Sequence, residues 1–189
     1  MSKHFQESED AFRKSTFFEQ LVEHVFISEI LQESYYGSGM TVEVLRSEID
    51  ASGYDLVLER NGVMRHVQLK TSRTQSLAAV QKVHIALAMK PSGCVVWIIR
   101  EECPESRRMR LSYRFFGGAP GEPLPSLEAL KVAKHTKGNA TGEKKERPAI
   151  RVVPKNWFRA IGTTEELVGV LFGFSEMTDG IPSERADIK

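Results

Sequence analysis

Residues 52–72 read SGYDLVLERNGVMRHVQLKTS, and the fold turns on how they pair. Asn61-Gly62 is the strongest short-range hairpin signal, because both residues accept the positive φ of a type I′ turn. A two-residue loop sets Asp55 directly opposite Gln68. Opposed residues project from one face of a sheet, with Cβ atoms roughly 5 Å apart. Lys70 lies two residues past Gln68 and shares that face. Leu56, Leu58, Val67 and Leu69 point the other way, into a core. A longer turn would shift the register and undo this geometry.

The 189 residues are enough for one domain with a single sizeable core. Formal net charge is +1, so composition announces no nucleic-acid binder. No apolar run approaches the roughly 18 residues of a membrane span. The opening MSKHFQESEDAFRKS is polar and contains no signal-peptide core. Cys94 and Cys103 are expected as free thiols. The expectation is a cytoplasmic protein with no membrane partner.

Outward from the hairpin, residues before about 12 read as a loose arm. A helix is predicted over 15–34, capped by Ser15, with Phe18, Leu21, Val22, Val25, Phe26 and Ile30 at helical spacing. Residues 41–49 read as a first strand. After the hairpin, Ser72 and Gln75 fit a capping box, predicting a second helix up to Pro91-Ser92-Gly93. Its apolar face would be Leu77, Val80, Val83, His84 and Leu87. Residues 94–99, CVVWII, form an unbroken apolar run that fits a strand buried on both faces. Residues 109–116 alternate, with Leu111, Tyr113 and Phe115 against Arg110, Ser112 and Arg114, as a half-buried strand does.

Residues 117–148 read mostly as loop, with a short helix around 126–134 and a strand at 150–153 following. Trp157 and Phe158 are expected to bury against a last helix. Thr163 and Glu166 make a second capping box opening that helix, and Gly173 stops it. The expected organisation is one domain over 1–174, with a core at about 15–116, a C-terminal extension over 117–174 and a disordered tail at 175–189. A mixed α/β sheet flanked by helices accommodates this order.

A carboxylate, an amide oxygen and an ammonium on one sheet face suit a divalent metal. Mg²⁺ takes hard oxygen ligands, and Asp55 and Gln68 can supply two. Lys70 can orient water or neutralise charge in a transition state. Glu19 on the first helix is the candidate third ligand, with Glu23 one turn away in reserve. Glu48 and Asp50 are spare carboxylates. The plainer reading of the same alternation is a solvated sheet face.

The pieces Phe18-Glu19-Gln20-Leu21, Gly53-Tyr54-Asp55-Leu56-Val57 and Val67-Gln68-Leu69-Lys70-Thr71 together resemble the PD-(D/E)xK nuclease superfamily. Holliday-junction resolvases and Mrr-like restriction endonucleases belong to it, and the Mrr-like kind uses Gln in the third motif. The resemblance covers roughly residues 15–100 and is one of topology more than of a long motif. It implies a restriction-endonuclease-like αβββαβ core, Mg²⁺ dependence with Mn²⁺ as a substitute, and phosphodiester hydrolysis in DNA. It also implies that Asp55 and Gln68 hold metal, that Lys70 serves the attacking water and that Glu19 assists. Dimerisation is common among such enzymes, because one site cuts one strand. Two departures stand out: Gly53-Tyr54 precedes Asp55 in place of Pro, and Gln68 replaces the more frequent acid. The second lowers the negative charge and leaves open a non-catalytic interaction module in a defence or repair assembly.

Further candidates surround this patch. His66 falls on the Gln68 and Lys70 face, where it would contact phosphate. Arg73, just after the Lys70 strand, would join the basic residues that contact nucleic acid at the mouth of the site. Lys137, Lys144 and Lys145, within a basic stretch from 131 to 147, would track a phosphate backbone, or simply solubilise a loop. His84 reads as a satisfied core histidine. The five His and two Cys show no zinc spacing, and there is no P-loop or GxGxxG, so no nucleotide cofactor is expected.

Overall fold

The computed structural model describes residues 3–47, 52–135 and 142–173, with side chains from Ser15 onward. The chain is mixed α/β. Its central sheet has six strands: β1 (Glu43–Arg46), β2 (Leu56–Arg60), β3 (Val63–Arg73), β5 (Gly93–Cys103), β6 (Arg108–Gly117) and β9 (Arg159–Ile161). They lie in the order β1-β2-β3-β5-β6-β9, with β3 and β5 parallel and every other pair antiparallel.

The hairpin forms as its turn residues dictate. Asn61 has φ 50° and Gly62 φ 78°, the pair of left-handed conformations that a two-residue turn needs. Leu56 faces Val67 and Arg60 faces Val63. Leu56, Leu58 and Val67 are buried on the expected face. β5 holds the centre of the sheet, and its apolar run is buried on both sides.

Two helices cover one face. α1 (Lys3–Ser38) buries Val22, Phe26 and Ile30, one turn apart, against Leu56, Leu58, Val96 and Ile98. It begins well before residue 15, and the expected loose arm is its first three turns; residues 3–14 contain no Gly or Pro to stop it. α2 (Thr164–Phe172) adds Leu167 and Leu171 to the same core. Thr163 Oγ1 accepts the Glu166 N–H at 3.1 Å, so the expected cap forms, while Glu166 Oε2 reaches one residue past the cap to the Gly162 N–H at 3.0 Å. The helices and β6 are tied by Glu29, whose Oε2 accepts from Tyr113 at 2.6 Å and from Thr164 at 2.9 Å. None of the described helices is long and apolar enough to cross a membrane.

The opposite face is covered by a second sheet, which corrects three expectations. β4 (Val80–His84), β7 (Val132–Lys134) and β8 (Glu146–Pro154) lie in the order β4-β8-β7. The helix expected after Ser72 does not form. β3 runs on to Arg73, and β4 and a 3-10 helix, Ile85–Met89, carry the chain across to β5. Ser72 Oγ accepts from Trp97 Nε1 at 2.9 Å instead of capping. The supposed apolar face is not one: Leu77 is 98% exposed and Val80 44%, while Val83 and Leu87 bury against β5. Pairing with β8, from Val80 opposite Pro154 to His84 opposite Ile150, overrides the local helical period. The short helix expected at 126–134 is a turn, closed by Leu130 N–H on the Leu127 carbonyl at 3.1 Å, followed by β7. Phe158 buries against Trp97 and Phe116, not against α2, and Trp157 stays 43% exposed.

The C-terminal extension is thus integral, contributing β9, α2 and most of the second sheet. β1 is shorter than the strand expected at 41–49, and Glu48, Asp50 and the tail at 175–189 lie outside the described residues. The two cysteines begin and end β5, about 30 Å apart at strand rise, beyond the reach of a disulfide. Burial pushes the Cys94 thiol up to about 12, so it remains protonated.

Candidate active site

Asp55 sits in a bend immediately before β2, and its position is fixed from three sides. Its N–H donates to the Val67 carbonyl at 2.9 Å and its own carbonyl accepts the Ser47 N–H at 3.1 Å. Its carboxylate Oδ2 accepts the Leu69 N–H at 2.6 Å. Asp55 therefore straddles Gln68 on the neighbouring strand, main chain on the residue before and side chain on the residue after. Gly53 makes the approach feasible. Its φ is +74°, and a Cβ there would stand 2.6 Å from the Cβ of His84. His84 is half-buried and caps the 3-10 helix, its Nδ1 accepting the Ala86 N–H at 3.1 Å.

Gln68 and Lys70 project from the face of β3 opposite the helices. The register sets Gln68 beside Val95 and Lys70 beside Trp97, residues of the second core. Gln68 is 6% exposed, and its Oε1 is buried with no hydrogen-bond partner among the described residues. An unpaired buried amide oxygen costs about 1–3 kcal/mol, and buried polar atoms are otherwise almost always satisfied. Lys70 and Asp55 are half-buried and border it. The donor set is one carboxylate and one orphaned amide oxygen, which suits a hard cation such as Mg²⁺. Among the described residues no three His, Cys, Asp or Glu cluster in a way that could hold a metal.

Glu19 stands at the same end of β3. It is exposed and lines a pocket with Thr71, Arg73 and Arg100 on the α1 side, where Ser15 Oγ donates to its Oε1 at 3.5 Å. Strand alternation puts Thr71 and Lys70 on opposite faces, so Glu19 meets the strand from the other side than Gln68 and Lys70. Glu23 is engaged elsewhere, accepting from Arg46 Nε at 2.8 Å. His66 shares the Gln68 face but is turned away. Its Nδ1 donates to the Pro91 carbonyl at 2.9 Å, and its ring packs edge-on to Tyr54 at 5.0 Å. Lys144 and Lys145 are exposed in the approach to β8, on a hairpin that runs past the His84 end of β4. Lys137 lies outside the described residues.

Sequence reasoning missed Tyr54, which braces His66 and lies 5.3 Å from Lys90 Nζ. It also missed Arg114 and Lys155, which share a pocket with Arg73. Alternation in β6 put Arg114 on the polar side, but only the sheet order shows that this side continues the Lys70 face. Comparison of the chain with protein-family profiles, with curated proteins and with solved structures found no significant match.

Proposed function

We propose that the chain is a Mg²⁺-dependent nuclease hydrolysing phosphodiester bonds in DNA, on a restriction-endonuclease-like core of the PD-(D/E)xK kind. The observation that carries this is Gln68 Oε1, buried without a partner among the described residues and opposite a carboxylate held in place by the Leu69 N–H. Asp55 and Gln68 would hold the ion, with waters and a substrate phosphate completing its shell; Glu19, which meets β3 from the other face, is left out of the donor set. Bound there, Mg²⁺ or Mn²⁺ supplies Lewis-acid polarisation of the phosphoryl group and a water of lowered pKa. The protein's own contribution is preorganisation. The Leu69 N–H fixes the Asp55 carboxylate, burial of Gln68 lowers the local dielectric, and the Lys70 ammonium offsets charge developing on the phosphate.

The strand order β1-β2-β3-β5, antiparallel twice and then parallel, supports the fold assignment. The crossover through β4 and a 3-10 helix departs from the αβββαβ pattern. A second reading, an interaction module on the same fold that has lost catalysis, is favoured by the lack of an acidic trio among the described residues.

Gln68→Met separates structural from metal-binding roles. Methionine fills the same space without the orphaned oxygen. The variant is expected to melt, metal-free, no lower than wild type, while losing the rise in Tm that Mn²⁺ gives the wild-type protein. A variant that keeps the Mn²⁺ response contradicts the assignment of Gln68 as a ligand.

A further inference from the structure

The polar face of β3 does not end at Lys70. Along the row of opposed residues, Lys70 pairs with Trp97 and Trp97 with Arg114, and in the next row Ser72, Ile99 and Ser112 align. Beyond Lys70, the residues Ser72, Trp97, Ile99, Ser112 and Arg114 form one wall and floor of a pocket of about 410 Å³, closed by Arg73 and Lys155. Three cations thus converge, and no acidic residue lines the pocket. Among the described residues no ion pair is seen for any of the three, whereas Arg46, Arg100 and Arg110 each pair with a glutamate. In a chain of net charge +1, this is a local positive field on a nearly neutral molecule. The hydroxyls fit the same purpose. Ser72 Oγ already accepts from Trp97 Nε1 at 2.9 Å, which leaves its O–H to donate. Trp97 is 1% exposed, so it is a floor and not a surface for base stacking.

We infer that this pocket is a backbone-phosphate subsite for the nucleic-acid strand that passes Lys70. The inference rests on the nuclease reading and adds to it residues from β6 and the segment after β8. Arg114 lies two strands from Lys70, about 10 Å at ordinary strand spacing. The pocket therefore holds a phosphate on the same strand as the one at Lys70 and only a short step along its backbone. Arginine supplies a forked donor set matched to phosphate oxygens and lysine a point charge.

The test is binding of a fluorescent 20-base-pair duplex to the full chain in EDTA, titrated over a series of salt concentrations. Arg114→Gln/Lys155→Gln and, separately, the strand-end variant Arg73→Gln are compared with wild type, each first checked for an unchanged melting profile. The double variant is expected to bind about tenfold or more weakly, with a salt slope shallower by about two. Arg73→Gln is expected to lower the slope by about one. Unchanged affinity and slope in both variants overturn the subsite, and the nuclease reading stands if wild type still cuts DNA with Mg²⁺. Binding that depends on the pocket in a protein that never cuts supports the subsite and defeats the catalytic reading. No binding of duplex by wild type overturns both.

Discussion

Lys70→Ala is expected to lower Mg²⁺-dependent cleavage of DNA by about 10²–10⁴-fold, the range for removing one positioned charge or proton-transfer group. Lys70 is not assigned as a metal ligand, so the rise in Tm on adding Mn²⁺ should persist in this variant. Duplex binding in EDTA should weaken only modestly, since Arg73, Arg114 and Lys155 remain. This pattern, chemistry lost with metal and DNA binding retained, is what distinguishes a group acting in the transition state from one that holds the site together. Loss of the metal response together with cleavage would instead mean that Lys70 supports the shape of the site. Equal cleavage by wild type and Lys70→Ala would remove Lys70 from the mechanism.

Arg65→Met is expected to have the largest effect on stability, a loss of about 3–5 kcal/mol, read as a fall in Tm of about 10 °C. Arg65 is fully buried on the helix side of β3. Its guanidinium donates to the carbonyls of Gly118 at 3.0 Å, Ala119 at 3.1 Å and Val170 at 3.2 Å, and lies 5.5 Å from the Phe115 ring centroid. Val170 is in the last turn of α2, where carbonyls carry the negative end of the helix dipole. The charge is thus met by dipoles and a ring, and its removal leaves three carbonyls unsatisfied at once. Burial lowers the Arg65 pKa, against the opposing influence of Cys94 and Glu122. Arg65→Lys should not rescue, because one ammonium cannot reproduce the fork that reaches both the 118–119 turn and α2. A loss below about 1 kcal/mol for Arg65→Met would show that the surrounding carbonyls find other donors.

What could be read from residues alone follows a physical division. Local chemistry was legible. Asn61-Gly62 fixes the hairpin turn, the turn fixes which residues oppose, and the alternation then sends Leu56, Leu58 and Val67 to one face and Gln68 and Lys70 to the other. Thr163, Glu166 and Gly173 bound α2 for equally local reasons. Non-local pairing was not legible. Val80, Val83 and Leu87 satisfy a helical spacing as well as they satisfy the strand and 3-10 helix they adopt, and the deciding partner, β8, lies about seventy residues further on. The phosphate pocket was hidden for the same reason. Arg73 and Arg114 come together only because β3, β5 and β6 are neighbours in that order, and Lys155 joins them from the end of β8 in the second sheet. Arg65 shows a third limit, since its place in an otherwise apolar face gives no sign that three distant carbonyls await it.

The most direct test of the central claim is conversion of supercoiled plasmid by the purified protein in Mg²⁺ and in EDTA, beside an Asp55→Ala protein shown to be folded. The account predicts nicked and linear products with wild type in Mg²⁺, none in EDTA, and none with Asp55→Ala in either. Cleavage that survives EDTA, or that Asp55→Ala performs as well as wild type, would contradict a metal-dependent site built on the hairpin. A folded wild-type protein that leaves DNA intact in both Mg²⁺ and Mn²⁺ would contradict the catalytic reading itself.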